Sequence, residues 1–140
     1  MAARTDFTED EWKDLQQGVT GAGLLVSTAH RDFTDSFGEA KAVASQLAAH
    51  RDSESELVRD LSGTHGTGFG LVASPKEVVE GTMNALGASV ALLTQKAPDE
   101  LEAYRALVLD VANAVAEAKG GVKEEESAAI ERIRGALATA

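Results

Sequence analysis

The chain of 140 residues contains no cysteine, so thiolate catalysis, zinc–thiolate sites and disulfide staples are all excluded. It has only two prolines, and aromatic residues make up 4% of it. Sheets favour aromatic and β-branched side chains, whereas Ala and Leu, the main apolar residues here, pack helix bundles. Basic residues are scarce: 13 Lys and Arg stand against 23 Asp and Glu, for a formal net charge of −10. Such a surface repels phosphate backbones and anionic headgroups, which argues against nucleic-acid and membrane-surface binding. No long apolar run is present. The uncharged stretch from Gly81 to Gln95 falls short of the roughly 20 residues a bilayer span requires. The N-terminus soon meets Asp6, Glu9, Asp10 and Glu11, unlike a secretory signal. With the missing cysteines, this gives the expectation of a cytoplasmic protein.

What remains is helix throughout. Residues 1–7 read as a disordered tail, and residues 8–140 as a single domain, a size that buries a core without staples. Thr8 and Glu11 form a capping box, and the helix it opens runs to about Arg31. Trp12, Leu15, Val19, Ala22, Leu25 or Val26, Ala29 and Phe33 recur along it at helical spacing. Gly18, Gly21 and Gly23 weaken its middle, which suggests a close helix crossing or a bend. A second helix is expected from about Ser36 to His50. A third opens on a Ser53–Glu56 capping box and passes through Leu57 and Leu61. Ser74-Pro75-Lys76-Glu77 marks a helix start, with Ser74 as cap and Pro75 in the first position. That helix carries Val78, Val79, Met83, Leu86, Val90 and Leu93.

Because Gly81–Gln95 is uncharged on every face, this fourth helix is expected to be the buried centre of the bundle, with Gly81, Ala85, Gly87, Ala88 and Ala91 admitting its neighbours. Pro98 starts a fifth helix with acids in its first turn, and Gly120-Gly121 ends it. A sixth runs from about Lys123 to Ala138, with Ala129, Ile130, Ile133 and Leu137 inward. The fold class is therefore all-α: a compact bundle of about six helices around a central buried helix. An echo between the segments at 26–40 and 115–126 allows two pseudo-symmetric halves.

No catalytic constellation emerges, and the expectation is a protein that is not an enzyme. Gly66-Thr67-Gly68-Phe69-Gly70 lacks the Lys-Ser/Thr of a phosphate-binding loop and any preceding strand, so it reads first as a connector. His65 just before it and Phe69 within it could line a small pocket or touch a partner. His30-Arg31-Asp32 and His50-Arg51-Asp52 each fall at a helix end, where cations meet the negative end of the dipole. No Glu-x-x-His or His-Glu-x-x-His is present.

The segment Ala116-Glu117-Ala118-Lys119-Gly120-Gly121-Val122-Lys123-Glu124-Glu125-Glu126 resembles the helix–turn–helix units of the TerB-like family, small all-helical domains named from tellurite resistance. The opening Phe7-Thr8-Glu9-Asp10-Glu11-Trp12 and the Pro98-Asp99-Glu100 helix are similar in style, so the likeness could span residues 7–138. The resemblance implies a non-enzymatic cytoplasmic protein that works by protein–protein interaction, with a link to stress response. It also implies, as an alternative, a divalent-cation domain. Lys119 replaces the Asp of the family's second turn, and His30-Arg31-Asp32-Phe33 lacks the Gly of its first, which weakens the cation reading. Asp32, Asp35 and Glu39 could supply oxygen ligands for calcium or magnesium. Otherwise no cofactor is expected. His65, Phe69, Glu124 and Glu125 are the candidate partner contacts, and self-association is left open.

Overall fold

A computed structural model describes residues 6–29, 45–53, 55–62, 75–118 and 124–138. Among these residues six helices and no strands are present. They are α1 (Glu9–Ala29), α2 (described over 45–49), α3 (Glu56–Ser62), α4 (Pro75–Lys96), α5 (Leu101–Ala118) and α6 (Glu124–Ala138). A 3-10 turn, Pro98–Glu100, joins α4 to α5. The all-α bundle expected from composition and periodicity is the observed fold.

The start of α1 shows why helices begin where they do. The Thr8 hydroxyl accepts the Glu11 amide at 3.1 Å, and the Thr8 amide donates back to Glu11 Oε1 at 2.8 Å. This reciprocal pair is the expected capping box. Just before it, Phe7 packs on Trp12 with ring centroids 6.1 Å apart, a hydrophobic staple that sets the angle of entry. Phe7 is only 9% exposed and belongs to the core, so residue 7 is not part of a disordered tail.

At α3 the cap differs from the expected one. Ser55, not Ser53, accepts the Val58 amide at 3.1 Å, while Ser53 accepts the Ser55 amide and tightens the approach. Both serines suit a cap, and spacing alone does not choose between them.

The centre of the bundle is α1 rather than α4. Every residue from Gly18 to Gly23 is buried, which covers all sides of the helix, and Leu15, Leu25 and Val26 extend the run. It packs against α4, α5 and α6. On α4, Thr82, Ala85, Leu86, Ser89, Val90 and Leu93 are buried, but Asn84, Ala88, Ala91, Thr94 and Gln95 face solvent. The expectation of a uniformly buried α4 is thus corrected: absence of charge permitted burial without compelling it.

The deciding feature is Gly18. A Cβ there would overlap the Tyr104 hydroxyl and lie 3.1 Å from Leu86 Cδ2. The missing side chain lets α4 and α5 close on α1 together. By contrast, a Cβ on Gly87 would meet nothing within 4 Å, so no neighbour among the described residues requires that glycine.

On α5, Tyr104, Leu107, Val108, Val111, Ala112, Val115 and Ala116 form one fully buried face, with Glu102, Asp110 and Glu117 opposite. On α6, Ala129, Ile130, Ile133 and Leu137 point inward as their spacing predicts.

Candidate functional site

The starts of α1 and α5 lie side by side. The Tyr104 phenol, in the first turn of α5, donates to the Leu15 carbonyl of α1 at 2.9 Å. The end of α4 is held at the same place, where Lys96 Nζ lies 2.8 Å from Glu11 Oε1 and 5.8 Å from the centre of the Phe7 ring. The end of α6 joins them, because Arg105 Nε donates to the Leu137 carbonyl at 2.9 Å.

Helix starts favour acidic residues, since the dipole is positive there. Two starts at one end therefore gather Glu9, Asp10, Glu11 and Asp14 of α1 with Asp99, Glu100 and Glu102. The nearby cations are partly spent within the chain. Lys96 holds Glu11, and Arg105 holds Glu102 and a helix-end carbonyl. Lys96 keeps the Glu11 carboxyl below its ordinary range, helped by the Thr8 amide. Partial burial pushes the Asp14 carboxyl up, and the charge of Asp10 adds to the rise. This end carries seven acidic residues against three basic ones, Lys13, Lys96 and Arg105.

Glu100 belongs to it by sequence but not by exposure. At 4% exposed, it turns inward and accepts the Ser55 hydroxyl, the same hydroxyl that caps α3. Glu100 therefore anchors α3 to the α4–α5 corner and leaves Asp99 and Glu102 to face solvent.

One further polar contact holds helices together. His50 Nε2 lies 3.0 Å from Asp110 Oδ2, tying the turn after α2 to α5. Its partner is a carboxylate on another helix and not the end of its own, although a structural role was the expected one. The Tyr104 phenol is pushed above its ordinary range by burial; the Ser89 hydroxyl opposes the shift and the charge of Asp14 reinforces it. Thr82 and Ser89 carry buried hydroxyls that make no hydrogen bond of good geometry among the described residues.

The residues singled out from sequence are distributed differently. Asp32, Asp35 and Glu39, as well as His65 and Phe69, lie outside the described residues. Glu124 and Glu125 open α6, whose other end meets Arg105. They therefore lie about 20 Å along the helix from the acidic end. Among the described residues no three His, Asp or Glu side chains are grouped as metal ligands. No helix there is long and apolar enough to cross a membrane.

Sequence reasoning marked both acidic helix starts but not their convergence. The signal that unites them, Gly18 beneath Tyr104, joins residues 86 positions apart. No family model matches this chain, and neither a curated protein nor a solved structure does.

Proposed function

We propose that the chain is a non-enzymatic interaction domain that holds a basic polypeptide segment at the end formed by the starts of α1 and α5. The observation that carries this reading is the convergence of two acidic first turns where Lys96 and Arg105 are already engaged within the fold. Exposed Glu9, Asp10 and Asp99 supply the attraction, and such a field mainly steers encounter and selects partners by charge. The buried polar groups described above, Tyr104, Glu100 and Ser55, are engaged in joining helices. The TerB-like likeness at Ala116–Glu126 supports the same kind of role, and the absence of cysteine supports a reducing cytoplasm as its setting.

The test is titration of the protein with a lysine- and arginine-rich peptide, followed by calorimetry at several salt concentrations. Binding should weaken steeply as salt rises, because exposed charges are screened beyond about 10 Å at 0.1 M ionic strength. Replacing Glu9, Asp10 and Asp99 together with Gln, Asn and Asn should weaken it at least tenfold. Replacing Glu131 with Gln on α6 should leave it nearly unchanged. Absence of binding at low salt, or equal loss in both variants, would sink the reading.

A further inference from the structure

Lys96, the last residue of α4, reaches across to the start of α1. Its Nζ lies 2.8 Å from Glu11 Oε1 and 5.8 Å from the centre of the Phe7 ring. A carboxylate beside an aromatic face suits an ammonium group, one by charge and the other by the ring quadrupole. Both are held in place by other contacts. Glu11 Oε1 accepts the Thr8 amide at 2.8 Å, and the Phe7 ring packs on Trp12 at the edge of the core. The Lys96 side chain is 42% exposed on a flexible four-carbon stem. We propose that Glu11 and Phe7 form a lysine-binding subsite of the acidic end, and that Lys96 is its built-in competitor, displaced by a lysine of the basic partner. This rests on the basic partner proposed above and adds how its binding is held in check.

The contact is weak enough to exchange. Partly solvated ion pairs shift an equilibrium by no more than about fivefold, so Lys96 lowers affinity without closing the site. Glu11 keeps 28% of its side chain exposed with Lys96 in place, which leaves an incoming ammonium a way in. Arg105 does not serve in the same way. Its guanidinium is 25% exposed and also donates to the Leu137 carbonyl, so moving it would release the end of α6.

Calorimetry with an oligolysine peptide near 0.15 M salt tests the proposal, because screening there limits the reach of exposed charge to about 8 Å. Lys96→Met keeps an apolar stem and removes the competing charge. It should raise affinity about two- to fivefold. Lys96→Arg keeps the pair and should bind as the unaltered chain does. Lys13→Met removes the same charge from an exposed position in the first turns of α1 and should give a clearly smaller gain. In a Glu11→Gln background, Lys96→Met should give no gain, since the carboxylate it would free is gone. Affinity unchanged or lowered by Lys96→Met, an equal gain from Lys13→Met, or a gain that survives Glu11→Gln would each overturn the proposal and leave the basic partner standing. Failure of both the unaltered chain and Lys96→Met to bind the peptide would overturn both readings.

Discussion

Helices α1 and α4 make an instructive pair, because each has a charge-free stretch of similar length and they lie against each other. From Leu15 to Ala29, α1 carries no charge and is closed in on all sides between Gly18 and Gly23. From Gly81 to Gln95, α4 carries none either, yet Asn84, Ala88, Ala91 and Gln95 stay in contact with water. The difference lies in side-chain volume and in what the neighbours bring. Gly18 removes volume at the point where Tyr104 and Leu86 need it. Gly87 removes volume where none of the described residues arrives. Lack of charge lowers the cost of burial on both helices, but only α1 has an apolar neighbour on every side.

The largest effects should separate the two by burial. Ala22→Lys places a cation at a site of zero exposure in α1, and a loss of several kcal/mol is expected. Ala91→Lys on the open side of α4 should change stability by less than about 0.5 kcal/mol. Urea unfolding measures both, and similar losses would erase the distinction.

Next in size is Gly18→Ala. The added methyl should force Tyr104 away from Leu15 and cost about 3 kcal/mol, from overpacking and the lost hydrogen bond together. Tyr104→Phe alone should cost about 1 kcal/mol. Combined with Gly18→Ala it should cost clearly less than the two losses added, because the overlapping oxygen is gone. Strict additivity would mean that the hydroxyl does not set the closeness of the helices.

The same phenol yields a pH prediction. Its value in the fold is raised above the ordinary value of about 10, so the stability it confers is intact below pH 10. That stability is lost as pH climbs from about 10 toward the raised folded value. Tyr104 is the sole tyrosine, so ultraviolet absorbance of phenolate reports it alone. Ionisation should coincide with unfolding, and Tyr104→Phe should flatten the alkaline decline. Ionisation of the phenol in a folded chain near pH 10 would refute its burial.

The smallest effect has the opposite sign. Gly87→Ala should raise stability by about 0.5–1 kcal/mol, since the helix gains propensity and the new methyl meets nothing. Gly135→Ala on α6 should act likewise for the same reason. Against the loss at Gly18, this would show that glycines identical in sequence terms serve different ends.

How much could be read beforehand depended on distance along the chain. The Thr8–Glu11 box and the inward faces of α1, α5 and α6 repeat within a few residues, so they were visible. The Phe7–Trp12 staple is equally local, but Phe7 precedes the cap and reads as tail in the sequence. The choice of Ser55 over Ser53 was ambiguous locally and was decided by Glu100, 45 positions away. The acidic end was half visible: each cluster of acids follows from its own helix dipole, but their shared location does not.

Periodicity, caps and composition on their own determined that this chain is a set of amphipathic helices with an acidic exterior. Those properties arise from forces that act over one or two turns. Which helix lies at the centre, where the acids gather and which neutral face remains open were decided only by tertiary packing. Such packing turns on single volumes, here the absent side chain of Gly18 under Tyr104, between residues that the sequence keeps far apart.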